Sequence, residues 1–453
     1  MTSKISHLAD LTPAPQERLW HSCPHPRFPI VATCGADKII RIYSLLNFTL
    51  LSSISGGHKR SVRCSAWKPN SGEEIVLATA SFDATVGIWK RWEQFQPTST
   101  QDPEVDDGGK DILCATGDES EEDKDDWTFA VVLDGHDSEV KAVSWSSSGS
   151  LLATCSRDKS IWIWEDLEDG DSNFETIAVL QDHQGDVKCV SWHPEEDRLA
   201  SGGYDNTVRL WKEDIDDWNQ VACLIGHEGT VWSVDWEAPA PSGTDTNDEP
   251  DVSTAQRIEG ELRPGTDTNR REPRLASCSD DRTIRIWKKV SDPAISTPQN
   301  VHHSIPGTIR TNTTEETWVQ ESVLPKEHDM SIYSVAWSKA TGLLASAGAD
   351  GKIVIYQERQ KLNHHVNVDL GEDAVESKRD THFTDKQQEL DNRSMEREWC
   401  VLSTMEAAHG VNEINHICWA TRGPRREDQI TQKEMLLTTG DNGIVKAWTV
   451  SMD

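Results

Sequence analysis

One spacing recurs along this chain of 453 residues. A His is followed nine residues later by Trp, and a later Asp is followed six residues on by an aromatic residue. The copies are His58–Trp67–Asp83–Trp89, His136–Trp145–Asp158–Trp164, His183–Trp192–Asp205–Trp211, His227–Trp236–Asp281–Trp287 and His328–Trp337–Asp350–Tyr356. Few architectures accept such a pattern, because each copy is one unit that must stack on its neighbours to bury its apolar face. The repeat also accounts for a composition of 19 Trp against 7 Phe and 4 Tyr.

Two weaker copies flank these five. Trp20–Asp37–Tyr43 lacks the His, and His409–Trp419–Asn442–Trp448 has a ten-residue first gap and Asn at the turn. Four residues before each Asp, or before Asn442, stand Thr33, Thr79, Thr154, Ser201, Ser277, Ser346 and Thr438. The imidazole, the turn carboxylate, the strand hydroxyl and the indole N–H can satisfy one another inside one small sheet, and buried polar groups need such partners. The pattern therefore gives His58, Thr79, Asp83, Trp89, His136, Thr154, Asp158, Trp164, His183, Ser201, Asp205, Trp211, His227, Ser277, Asp281, Trp287, His328, Ser346 and Asp350 a structural role, neither catalytic nor metal-binding.

Seven units of this kind are the signature of the WD40 β-propeller. The predicted fold class is all-β: a single seven-bladed WD40 β-propeller over residues 1–453 with long disordered loop insertions. Blades are expected near 12–54, 58–95, 136–180, 183–225, 227–324, 328–405 and 409–450. An N-terminal strand over 6–11 is expected to close the last blade, covering edges that would otherwise be free. The excess length sits in polar stretches at 102–126, 238–273, 291–316 and 359–397, whose composition cannot offset the entropy of ordering.

Charge narrows the function. Asp and Glu outnumber Lys and Arg by 77 to 45, a net charge of −32. That balance argues against nucleic acid and against an anionic membrane surface as partners. No apolar run is long enough to span a bilayer, and the opening MTSKISHLADLTPAP lacks the apolar core of a secretory signal. Ten scattered cysteines without a CxxC fit a reducing compartment. No P-loop, HExxH or GxSxG is present. The chain is read as non-catalytic, with no cofactor and no metal site.

A propeller offers a surface instead. The residues four before each inner-strand Trp are Gln16, Arg63, Lys141, Lys188, Trp232, Tyr333 and Asn415, and those just before the turn Asp include Phe82, Arg157 and Tyr204. Both sets are expected at one rim of the central channel. Arg157, Arg63, Lys141, Lys188, Trp232, Tyr333, Tyr204 and Phe82 then form a basic, aromatic patch on an acidic protein. Arg, Trp and Tyr are the residue types that dominate interface energetics. An acidic or carboxylate-bearing peptide is the expected ligand. Glu139 and Asp186 offer the competing reading of a self-paired rim.

Beyond the generic repeat, GHDSEVKAVSWSSSGSLLATCSRDKSIWIWE (135–165), HQGDVKCVSWHPEEDRLASGGYDNTVRLWK (183–212), GHEGTVWSVDW (226–236) and SVAWSKATGLLASAGADGKIVIY within 328–356 resemble the cytosolic iron–sulfur assembly WD40 family. The resemblance spans all seven blades. It implies a scaffold of the late-acting targeting complex that helps deliver Fe–S clusters to cytosolic and nuclear apoproteins. It also implies cytoplasmic, and additionally nuclear, localisation. The implied partners are a MIP18-type assembly factor, a HEAT-repeat adaptor, a Fe–S hydrogenase-like assembly protein and the Fe–S apoprotein clients. The family's top-face Arg in the CSRD turn corresponds to Arg157. The alternative is a WD40 substrate receptor of a ubiquitin ligase or chromatin complex. No WDxR box follows a blade-ending aromatic, and no F-box segment precedes the first blade.

Overall fold

In a computed structural model the chain forms seven four-stranded antiparallel sheets, with no helix among the described residues. Those residues are 4–72, 74–92, 127–170, 172–214, 217–239, 272–290, 315–361, 397–421 and 434–451. The insertions expected as loops lie outside them except at their ends.

Each sheet is a blade whose first strand is innermost. These inner strands are Leu19–Pro24, Val62–Trp67, Val140–Trp145, Val187–Trp192, Val231–Trp236, Ile332–Trp337 and Ile414–Thr421. Each packs on the next, and the last packs on the first, so the blades close into the expected all-β propeller. The second strands are almost wholly buried, and Leu151–Ser156 is buried at every position. A sheet covered on both faces shows continuous burial, where a half-exposed one would alternate. Strand pairing closes the ring: Lys4–Asp10 pairs with Val445–Ser451, placing His7 opposite Trp448. The strand starts two residues earlier than the sequence suggests, at Lys4, and Leu11 N–H still reaches the Val445 carbonyl at 3.0 Å.

Every inner strand carries the same irregularity. Register slips after its first paired residue, skipping Trp20, Arg63, Lys141, Lys188, Trp232, Tyr333 and Asn415 in turn. Bulges of this kind bend a strand and re-aim one side chain. They also correct the reading of the first blade. Ser22 pairs with Thr33 as Ser65 pairs with Thr79, so Trp20 is the counterpart of Arg63, and Pro24 is the counterpart of Trp67. Gln16 precedes the strand and is not a rim residue.

The face opposite the turns is stapled between blades. The guanidinium of Arg274, in blade 5, meets Glu237 and Glu321 of its own blade and Glu358 of blade 6 at 2.7–2.9 Å. Arg198, in blade 4, meets Glu272 and Glu316 at 2.6 and 2.8 Å. Lys68, in blade 2, meets Asp166 and Glu168 of blade 3 at 3.0 and 2.8 Å. Above them the inner-strand tryptophans pair with outer aromatic residues, as in Trp236–Trp318 and Trp337–Trp399, with centroids 5.9 and 5.7 Å apart.

Candidate protein-binding site

The turns that carry the site are built by the repeat residues. His136 Nδ1–H donates to Asp158 Oδ2 at 2.8 Å, its Nε2 accepts from the Thr154 hydroxyl at 2.9 Å, and Trp164 Nε1–H donates to that hydroxyl at 3.0 Å. His183, Asp205, Ser201 and Trp211 repeat this at 2.8–2.9 Å. His227, Asp281, Ser277 and Trp287 do so at 2.8 Å. In blade 2, His58 meets Asp83 at 3.3 Å and Thr79 at 2.8 Å, while Trp89 meets Thr79 at 3.0 Å. In blade 6, His328 meets Asp350 at 2.9 Å and Ser346 at 2.7 Å.

The same carboxylates also hold the turn. Asp158 Oδ1 accepts from the Ser160 N–H at 2.8 Å and from its hydroxyl at 2.6 Å. Burial alone would raise the Asp158 pKa, but bonds from His136 and Ser160 outweigh it and hold the carboxyl far below its ordinary range. Blade 1 has no such His. Its Tyr43 hydroxyl donates to the Pro13 carbonyl at 2.7 Å instead.

On this frame the turn face presents the eight candidate residues around the channel mouth. Lys141 Nζ lies 4.4 Å from the Phe82 ring centre and 2.6 Å from Glu139 Oε2. Lys188 Nζ sits between the Trp232 and Tyr204 rings, at 5.2 and 5.7 Å, and 3.2 Å from Asp186. Trp232 and Tyr333 pack edge-on at 5.3 Å. Arg63 lies over Trp20 at 5.5 Å and donates to the Trp20 carbonyl at 3.4 Å. Arg157 is different: its side chain is 60% exposed, and its nearest carboxylate, Glu139, is 3.9 Å away. The self-paired reading thus describes Lys141 and Lys188, reaches Arg157 only at 3.9 Å, and finds no carboxylate for Arg63 among the described residues.

Sequence reasoning missed three members. Trp20 was hidden by the first blade's register. Arg18 lies over Trp20 at 5.1 Å. Arg60 bonds Glu139 at 2.9 Å and covers Phe82 at 5.8 Å. Burial lowers the Lys141 pKa, and the charges of Lys188 and Arg63 push it the same way, against the bond to Glu139. Opposite, blades 5–7 contribute Asp280, Glu413 and Asp441 around Tyr333, whose hydroxyl is pushed up to about 12 by burial and by these acids. The mouth is electrically two-sided: the cations come from blades 1–4, where Glu139 and Asp186 accompany the lysines, and Asp280, Glu413 and Asp441 come from blades 5–7.

On the inner strands, the His21 and His416 rings lie 4.0 Å apart with their planes tilted by 46°, beside Ser22 and Cys418. Burial pushes the Cys189 and Cys418 thiols up to about 12, which leaves them neutral and poor ligands. Among the described residues no group of three or more His, Cys, Asp and Glu is arranged to hold a metal ion.

The WD domain, G-beta repeat model matches residues 48–90, 127–165, 174–212, 266–288 and 319–357. Curated relatives match end to end. The "Probable cytosolic iron-sulfur protein assembly protein 1" of Coccidioides immitis is 53% identical, covering 98% of each chain. Proteins of the same name from Penicillium rubens and Aspergillus flavus are each 52% identical over 99% of this chain and 98% of their own.

Proposed function

The chain belongs to the cytosolic iron–sulfur protein assembly protein 1 family of WD-repeat propellers, and on that premise we propose that its turn face is the protein-binding surface of a non-catalytic scaffold. Its role is in cytosolic iron–sulfur protein assembly. A propeller with this fold acts by presenting surfaces, and function lies in the site grafted on it.

Within that role we assign the basic sector, Arg157, Arg63, Lys141 and Lys188, with Phe82, Tyr204, Trp232 and Tyr333, to the capture of an acidic or carboxylate-bearing segment. The partners are a MIP18-type assembly factor, a HEAT-repeat adaptor, a Fe–S hydrogenase-like protein and Fe–S apoprotein clients. Delivery takes place in the cytoplasm and reaches nuclear apoproteins. The observation that supports the face most is Arg157: an exposed guanidinium on a turn held rigidly by Asp158, yet only loosely engaged by Glu139. A fixed, underused fork suits bidentate recognition of a carboxylate.

The test is quantitative affinity capture of tagged wild type and Arg157→Glu from cytosolic extract. Assembly factors should co-purify with the wild type, and part of them should be lost from the variant while its Tm is unchanged. Recovery of cullin or chromatin subunits in their place would overturn the assignment.

A further inference from the structure

Arg198 and Arg274 are buried and Arg63 is half-buried at the channel mouth, and the three are treated differently. Arg198 is ringed by Glu196, Glu272 and Glu316. Arg274 is ringed by Glu237, Glu321 and Glu358. A buried charge is costly unless it is paired in this way. Arg63 has no carboxylate partner among the described residues. Its hydrogen bond goes to the Trp20 carbonyl, one acceptor for a group with five donors. Burial lowers its pKa, and the influences that oppose this come from the cysteines Cys64, Cys34, Cys155 and Cys189, with no carboxylate among them.

Position strengthens the contrast. Arg63, Lys141 and Lys188 are the bulge residues of three consecutive inner strands, so one backbone device aims all three at the channel mouth. Glu139 and Asp186 serve the two lysines and leave Arg63 unserved. Trp20 and Phe82, 6.1 Å apart, wall the same sector with aromatic surface.

Resting on the reading of the turn face as the binding surface, we propose that the anchor of that surface is Arg63 inside the channel mouth, where it takes a carboxylate of the bound protein with Lys141 and Lys188 beside it. Arg157, outside on the turn, gives orientation and the Arg63 cluster gives the deep contact. The guest places its carboxylate inward and an apolar flank against Trp20 and Phe82. Its carboxylate supplies the partner that Arg198 and Arg274 find within the chain.

Fluorescence anisotropy with a fluorescein-labelled hexaglutamate, read against wild type, Arg63→Met, Arg63→Gln and Arg157→Met of the full chain, tests this. Both Arg63 variants should weaken the probe at least about tenfold, the loss expected for a hydrogen bond to a charged group. Their affinity should depend less steeply on salt. Arg157→Met should weaken the probe as well, but less than either Arg63 variant. The Tm of the Arg63 variants should hold or rise, because a partly desolvated charge with no carboxylate partner has been removed. Amidating the probe's C-terminus distinguishes the source: loss of binding marks the terminal carboxylate as the guest, and retained binding marks a side chain. Wild-type affinity in both Arg63 variants overturns the proposal, as does a fall in their Tm. If Arg157→Glu still releases the assembly factors in that case, the binding face stands and only its anchor is lost.

Discussion

Trp20 and Arg63 occupy the same bulged position on neighbouring blades, and the guanidinium carbon lies 5.5 Å from the centre of the indole. The cation thus rests on an aromatic platform that belongs to the rim itself, and Arg18 covers the same ring at 5.1 Å. Trp20→Ala should therefore weaken binding of the acidic probe by at least about tenfold, near 1.4 kcal/mol. Gln16→Ala should leave it unchanged, because Gln16 lies before the strand. An anisotropy titration of the two variants side by side checks the corrected register: equal losses would return Gln16 to the rim.

The correction also shows what the sequence carried. Asp158, Asp205 and Asp350 each fall seventeen residues after Lys141, Lys188 and Tyr333, and Asp37 falls seventeen after Trp20. That interval is legible, but the first blade's only Trp stands at the bulge and Pro24 at the strand end, the reverse of the arrangement in blade 2. Blades 2–6 were readable because the repeat residues contact one another within a single sheet, where spacing maps directly onto geometry. The staples were not readable. Arg198 meets Glu316 across 118 residues, and Arg274 meets Glu358 across 84. Nothing local marks a charge whose partners arrive from the next blade.

Asp158 ties a turn to the core through His136, so its removal should cost stability. Asp158→Ala strands His136 Nδ1 and the Ser160 N–H. The expected loss is about 1–3 kcal/mol. Asp158→Asn should lose less, since blade 7 already uses Asn442 with His409 at 3.0 Å. Urea unfolding of both variants gives the comparison, and a harmless Asp158→Ala would sink the hydrogen-bond account of the repeat.

His409 gives that substitution a pH signature. Burial presses its pKa from 6.5 to about 4, with Asn442 opposing weakly. The unfolded chain takes up this proton below about 6.5 and the folded chain refuses it until about 4, so stability falls as pH drops through that window. The full difference is about 3 kcal/mol. His25 and His193, also pressed to about 4, act in the same direction. Asn442→Asp should raise the His409 pKa and flatten this slope. The check is the loss of urea midpoint between neutral pH and the acid end of the window, which should be smaller in the variant than in the wild type. An unchanged loss would show that the carboxylate does not reach the imidazole.

Arg274 separates charge pairing from packing. Its guanidinium bridges blades 5 and 6 and also lies 5.3 Å from the Trp337 ring centre and 5.8 Å from that of Trp399. Arg274→Met keeps an apolar stem under the two indoles but leaves Glu237, Glu321 and Glu358 facing one another. Breaking a buried cluster from one side costs about 3–5 kcal/mol, mostly through the charges left behind. Adding Glu237→Gln, Glu321→Gln and Glu358→Gln should then recover a large part of the loss, because the mutual repulsion of the three carboxylates is gone. Denaturant unfolding of the single and the quadruple variant decides between the causes. If the quadruple variant is no more stable than Arg274→Met, the guanidinium holds the seam by its contact with Trp337 and Trp399 and not by its charge.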